Sequence, residues 1–182
     1  MNKFVFFIEG QDRTGKDTLV KKLAQTYYHW QPMILHCVGT NDKFAKGKRL
    51  SEAYYSKYLS LVTKKDNVSF ILNRTHLGEN VNAPLYRSYE GDYVYDLEEK
   101  YKVNRDNFFL ITLIDSSKGA LYRDDDESLS SGDEIKYMEE TAKFESLTKR
   151  SIIKNKILID ISGMSIEDVH KKVFDWIGDR IA

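Results

Sequence analysis

Phe4-Val5-Phe6-Phe7-Ile8-Glu9-Gly10-Gln11-Asp12-Arg13-Thr14-Gly15-Lys16-Asp17-Thr18 is the stretch on which the reading of this chain turns. Its first half is a continuous run of aromatic and β-branched residues. Such a run predicts a strand buried on both faces, as in a parallel sheet. Its second half carries two glycines and a lysine in the spacing of a phosphate-binding loop, placed after a strand and before a helix, the context such a loop requires. Gly10 and Gly15 let the backbone turn tightly, so that successive N–H groups point inward at phosphate oxygens. The helix that follows adds unpaired N–H groups and the positive end of its dipole. Lys16 is placed to bridge the outer phosphates and to follow charge as it moves to the leaving oxygen.

Outward from that loop, strand and helix signals alternate. Leu19, Val20, Leu23, Ala24 and Tyr27 recur at helical spacing and predict a helix from about Lys16 to Tyr28. Pro32 breaks the chain, and Met33 to Val38 reads as a second strand. Leu50, Tyr54, Tyr58, Leu61 and Val62 mark a longer helix. Ser69 to Leu72, Phe108 to Ile114 and Ile157 to Ile161 read as three more strands, and Ile166, Val169, Val173 and Ile177 as one face of a last helix. Such alternation implies right-handed crossovers and an α/β fold, a five-stranded parallel sheet flanked by helices on both faces. No repeat or linker interrupts the 182 residues, so one domain over 1–182 is expected. Asp124 to Glu134, rich in acids and serines, predicts a loop.

Composition narrows the classes. The formal net charge is +0, which argues against bulk nucleic-acid binding, since that usually needs a positive excess. The single cysteine, Cys37, excludes an intramolecular disulfide and reads as a core residue rather than a nucleophile. No apolar run is long enough to span a membrane, and Met1 to Val5 leads straight into a strand, so a cytoplasmic location is the expectation. His29, His36, His76 and His170 have no metal-ligand spacing. Lys43, Lys46, Lys48 and Arg49 read as a solvated helix face.

The loop Ile8 to Lys16 resembles the "EGxDRxGK" loop of the thymidylate kinase family of nucleoside monophosphate kinases, in the subgroup whose catalytic arginine lies within the loop. Three further stretches resemble the same family in the same order. They are Asn73-Arg74 after the third strand, Ala120-Leu121-Tyr122-Arg123 before the lid, and Leu158 to Ser162 with Ser165 to His170 at the end. Gly78-Glu79-Asn80-Val81 and Pro84-Leu85-Tyr86-Arg87 resemble phage-encoded relatives. The resemblance implies a P-loop kinase fold with a short lid at about 123–134, ATP and Mg²⁺ as cofactors, small nucleotide substrates and a homodimer. It implies that Gly10, Arg13, Thr14, Gly15, Lys16, Asp17, Thr18 and Arg123 hold ATP, with Arg13, Lys16 and Arg123 catalytic. It places Arg74 on the acceptor phosphate, Asp12 on the 3′-hydroxyl of a deoxyribose, and Asn73 and Glu9 beside them. Glu9 either holds metal-bound water, orients Arg74 or pairs with it structurally.

Departures from the family pattern bear on metal and base. Asp17 stands where the family has Ser or Thr, and Asn73 where it has Asp. Either Asp17 approaches Mg²⁺, directly or through water, or phosphates and waters hold most of the metal while Thr18 binds the α-phosphate. The second arrangement is preferred, because a directly bound carboxylate sits next to the triphosphate. The arginine with which the family reads thymine is not recognisable between Tyr54 and Val62. Tyrosines, Asn80, Asn82 and pocket shape are left to select the base, and broader acceptor use is expected. The expected reaction is phosphoryl transfer from ATP to a deoxynucleoside 5′-monophosphate, dTMP by resemblance. A deoxynucleoside kinase acting on a 5′-hydroxyl, with Glu9 as base, and a non-catalytic nucleotide-binding regulator are the alternatives.

Overall fold

The computed structural model describes residues 3–122 and 132–181. Five strands form one parallel sheet: β1 (Val5–Gly10), β2 (Met33–His36), β3 (Phe70–Asn73), β4 (Phe108–Ile114) and β5 (Asn155–Asp160), in the spatial order β2-β3-β1-β4-β5. The helices are α1 (Lys16–Thr26), α2 (Phe44–Lys64), α3 (Gly78–Asn82), α4 (Tyr93–Tyr101), α5 (Glu134–Arg150) and α6 (Ile166–Ile181). A five-residue π-turn, Ala83–Arg87, continues α3, and short 3₁₀ turns cover Tyr28–Trp30 and Gly119–Tyr122. No helix among the described residues is long and apolar enough to cross a membrane.

Strand pleating divides the core in two. Val5, Phe7, Phe70, Leu72, Phe108 and Leu110 face one way and pack with Tyr55, Leu59 and Val62 of α2, Val94 and Leu97 of α4, and Phe144 and Leu147 of α5. Phe4, Phe6, Ile8, Ile71, Phe109 and Ile111 face the other way, against Leu19 and Leu23 of α1 and Val173 and Ile177 of α6. The central strands are apolar at nearly every position because both faces are covered. β2 is different: it is an edge strand of four residues with Met33 and Ile34 about half exposed.

The predicted strands all exist, with ends shifted by up to two residues. β2 stops at His36 rather than Val38, although the buried Cys37 still donates its N–H to the Asn73 carbonyl of β3 at 3.0 Å. The first helix ends at Thr26, and α2 starts at Phe44, earlier than its apolar spacing indicates. α3, α4 and α5 have no counterpart in the sequence reading. Their buried faces include Glu79, Glu98 and Glu140, polar side chains satisfied by specific partners, which break the apolar period. Most of the expected lid, and Arg123 with it, lies outside the described residues.

The chain leaves β1 toward the β2 edge and leaves β4 toward the β5 edge, so a crevice opens above their carboxyl ends. Gly10 ends β1 there at φ +139°, with the Leu113 carbonyl so close that a Cβ would run into it. Gly10→Ala is therefore expected to lower stability by about 1–3 kcal/mol from backbone strain alone, with the clash in addition. Gly178, inside α6, is the contrasting case: a Cβ added there would meet nothing within 4 Å. Gly178→Ala should stabilise by roughly 0.5–1 kcal/mol. Urea denaturation of the two variants measures both, and equal effects of the same sign would contradict this account.

Candidate nucleotide-binding site

The loop between β1 and α1 is built around its own backbone. Gly15, at φ +86°, caps α1, and Arg13 takes a positive φ of 65°, which is uncommon for a residue with a side chain. The buried Thr14 donates its hydroxyl to the Gln11 carbonyl at 2.8 Å. Lys16 is buried and folds over the loop, its Nζ donating to the carbonyls of Gly10 at 2.9 Å and Gln11 at 2.5 Å. Burial pushes its ammonium group down to about 8; Arg74 adds to the effect and Asp12 opposes it. Asp17 and Thr18 are exposed on the first turn of α1.

Gln11, buried at the centre, carries no signal in the sequence reading. Its Oε1 accepts from the Asp115 N–H at 2.9 Å, and its Nε2 donates to the Tyr137 carbonyl at 3.0 Å and the Thr141 hydroxyl at 2.8 Å. Asp115 in turn accepts from the Ser117 and Ala120 N–H groups and so shapes the Gly119–Tyr122 turn. Arg13 Nη1 donates to the Leu121 carbonyl of that turn at 2.9 Å.

Beside the loop lies a cavity of about 260 Å³ lined by residues from β1, the β2–α2 connection, α2, α3, the π-turn and α5. Asp12, Arg74 and Glu140 stand on its loop side, and Tyr55, Gly39 and Arg87 also line it. Arg74, at φ 60° just past β3, pairs with Asp12 at 2.8 Å. Glu9 does not pair with Arg74. Its Oε1 accepts from the N–H groups of Thr75 at 2.8 Å and Gly78 at 2.9 Å and from the Thr75 hydroxyl, so it holds the turn that follows β3. Burial raises the Glu9 carboxyl despite those hydrogen bonds. Asn73 Nδ2 donates to Asp17 Oδ1, while Asn73 Oδ1 is buried without a partner. The two departures from the family pattern are thus in contact with each other.

The asparagines of α3 separate. Asn82 lines the cavity; Asn80 does not. Asn80 donates to Asp92 at 2.8 Å and accepts from the Tyr95 hydroxyl at 3.2 Å, because two residues along a helix turn a side chain to another face. Glu140, which has no signal in the sequence, enters the cavity from α5 and accepts from the Tyr86 hydroxyl. Cys37 is buried on the cavity wall, its thiol pushed up to about 12 by burial and the nearby Glu9.

Several solved structures share this architecture. The YorR protein of Bacillus subtilis, solved in complex with phosphorylated GDP, superposes with a TM-score of 0.66 at 14% identity over 96% of this chain and 95% of its own. Thymidylate kinase from Candida albicans gives 0.69 at 13% identity, over 98% and 92%. Deoxyadenosine kinase from M. mycoides with bound dATP gives 0.61 at 15% identity, over 96% and 100%. This is a P-loop kinase fold. No protein-family model matches the sequence, and no curated protein matches it either. The fold places the Gly10–Lys16 loop between β1 and α1, the strand-to-helix context that the sequence reading required.

Burial pushes the Glu140 carboxyl up to about 7, with Asp12 adding and Tyr86, Lys16 and Arg74 opposing. Its folded value lies above the ordinary 4.5, so between those two values the native state binds more protons than the unfolded one. Stability is therefore expected to fall as pH rises from about 4.5 to about 7. Glu140→Gln should flatten that part of the profile and leave the variant relatively more stable on the alkaline side. Urea midpoints of both proteins across the window test this; parallel profiles would exclude burial of an ionising Glu140 as the cause.

Proposed function

We propose that the protein transfers the γ-phosphoryl group of ATP to the 5′-monophosphate of a deoxynucleoside, with dTMP the leading acceptor by sequence resemblance. One observation supports this reading most: Asp12 of the phosphate loop pairs with Arg74, and both line the adjoining cavity. A guanidinium there suits an acceptor phosphate, and a carboxylate beside it suits a sugar hydroxyl. The acceptor oxygen is already ionised, so no strong general base is needed. The protein's part is to position two anions, neutralise charge and exclude water.

The residues of the loop divide that work. The Gly10–Lys16 backbone holds the donor phosphates, and Lys16 exchanges its carbonyl partners for phosphate oxygens. Arg13, tethered to Leu121, stands where charge builds on the transferring group. Arg123 and the rest of the lid would cover the donor in this reading. The oxygens of Asp17 and Asn73 suit Mg²⁺, which commonly takes one or two protein oxygens and keeps phosphates and waters for the rest. The orphaned Asn73 Oδ1 beside the exposed Asp17 is consistent with that, and among the described residues no cluster of three acidic, His or Cys side chains competes as a metal site. Bound there, Mg²⁺ would neutralise negative charge on the phosphates.

Glu9 supports a second reading. It lines the cavity with a carboxyl raised by burial, and such a group could take the proton of a nucleoside 5′-hydroxyl. ATP consumption against a panel of nucleosides, dNMPs and NMPs separates the readings. Transfer to monophosphates is expected. Reaction of nucleosides alone selects the second reading, and ATP binding with no transfer selects a regulator.

Arg13→Ala is expected to lower turnover by about 100-fold or more while ATP affinity changes little, because the contact strengthens in the transition state. An unchanged kcat removes Arg13 from the chemistry. Arg74→Ala should weaken the acceptor about 10- to 150-fold and leave ATP binding near wild type. Equal weakening of both ligands, read by calorimetry, would make Arg74 a structural residue.

A further inference from the structure

Glu140 is a buried carboxyl on the cavity wall that the transfer reaction does not use. Its Oε1 accepts from the Tyr86 hydroxyl of the π-turn, and among the described residues no lysine or arginine pairs with it. The other charged groups of the cavity are better supported. Arg74 pairs with Asp12, and Arg87 of the π-turn donates through Nη1 to the fully buried Glu79. Glu9 accepts from the Thr75 and Gly78 N–H groups and from the Thr75 hydroxyl. Lys16 Nζ lies 4.0 Å from Asp12 and is engaged by two loop carbonyls. Lys136, one turn before Glu140 on α5, lies over the Tyr86 ring at 5.8 Å and faces Asp133 at 3.8 Å. His36, Cys37 and Tyr55 complete the titratable lining.

The carboxyls of Glu9, Asp12 and Glu140 face the guanidiniums of Arg74 and Arg87 across this cavity, and each arginine already has its carboxylate. A ligand that brings a phosphate to Arg74 adds negative charge where negative charge is already in surplus. Like charges in a confined site do not all stay ionised, and the group with the weakest support takes a proton. Asp12 keeps Arg74 beside it, and Glu9 keeps its donors. Glu140 has one neutral hydroxyl. Burial has already brought its carboxyl to about 7, with Asp12 adding, so protonation near neutral pH takes little free energy.

We infer that Glu140 takes up a proton from solvent as an anionic ligand enters the cavity, and so ties the affinity for a 5′-monophosphate to pH. This rests on the acceptor-site reading of the cavity given under the proposed function. The ligand keeps its charge on Arg74, and the carboxylate becomes a carboxylic acid that still accepts from Tyr86. The sign follows from linkage. Without ligand, Glu140 changes charge around pH 7; with a dianion beside it, the change lies higher. Binding takes up protons between those two values. Affinity is greatest below the lower value and falls as pH rises through the upper one.

Calorimetry without ATP, in buffers of different ionisation enthalpy, counts the protons taken up. The probes are dTMP, dUMP, dGMP, dCMP and dAMP, whose phosphates are already mostly dianionic at about pH 7.5. For the tightest of them, wild type is expected to take up roughly 0.3–0.8 proton per ligand at about pH 7.5, with affinity falling about 3- to 10-fold between about pH 7 and about pH 8.5. Glu140→Gln, which keeps the shape and cannot ionise, should reduce uptake to about 0.2 or less and flatten the affinity profile. Tyr86→Phe removes the one donor that favours the ionised carboxylate and should move the fall in affinity to higher pH. Should Glu140→Gln not fold, wild type and Tyr86→Phe still decide. Wild-type binding without proton uptake overturns the inference. So does wild-type uptake that survives in Glu140→Gln, which would make Glu9 or Lys16 the group that takes the proton. A Tyr86→Phe profile that stays in place or moves down, a nucleoside that draws as many protons as its monophosphate, or a failure of every probe to bind also overturns it. Glu140-dependent uptake with no transfer to any monophosphate supports the inference and removes the proposed reaction. Transfer without such uptake does the reverse, so the two fail separately.

Discussion

The primary amide of Gln11 joins three parts of the molecule at one point. Its oxygen takes the N–H at the end of β4, and its nitrogen reaches a carbonyl and a hydroxyl on α5. A buried amide satisfied on both sides is costly to disturb, because each lost partner leaves a desolvated polar group behind. The Gly10–Lys16 loop is therefore not free to drift relative to the turn that tethers Arg13 or the helix that carries Glu140 and Phe144 into the cavity. The Gly10–Lys16 loop and the adjoining cavity are referenced to the same side chain.

Charge around that point is arranged so that few ionised groups are left alone. Lys16 is folded onto carbonyls, Arg74 onto Asp12, Glu9 onto the turn after β3, and Glu140 onto Tyr86. Asn73 and Asp17 show the same economy: the amide donates to the carboxylate across the gap between β3 and α1. Taken singly, each is a defect in a familiar pattern. Taken as a contact, an amide on the strand and a carboxylate on the helix keep one negative charge at that place, moved from one element to the other.

The sheet is legible in the sequence because β1, β3 and β4 are buried on both faces and so are almost continuously apolar. The phosphate loop is legible because its glycines and lysine answer to backbone geometry that few other residues satisfy. The adjoining cavity is only partly so. Arg74 follows a strand and can be found, whereas Glu140 and Glu79 come from helices whose polar residues are buried by virtue of hydrogen bonds rather than apolar character. Their partners lie 54 and 10 residues away, and no period in the sequence records such pairings. Arg87 lies in a stretch that resembles known relatives, but its pairing with Glu79 is visible only once α3 and the π-turn are folded. Asn80 and Asn82 look equivalent in sequence, and a helical turn assigns them to different surroundings.

β2 closes one side of the sheet with unpaired backbone groups and half-exposed Met33 and Ile34. A long, flat edge of that kind is a template onto which another chain can add a strand. Here the strand is four residues long, Cys37 adds one more bond to β3, and Cys37 to Gly39 then form part of the cavity wall. The same short strand that gives way to the cavity wall also leaves too little edge for sheets of neighbouring molecules to grow together.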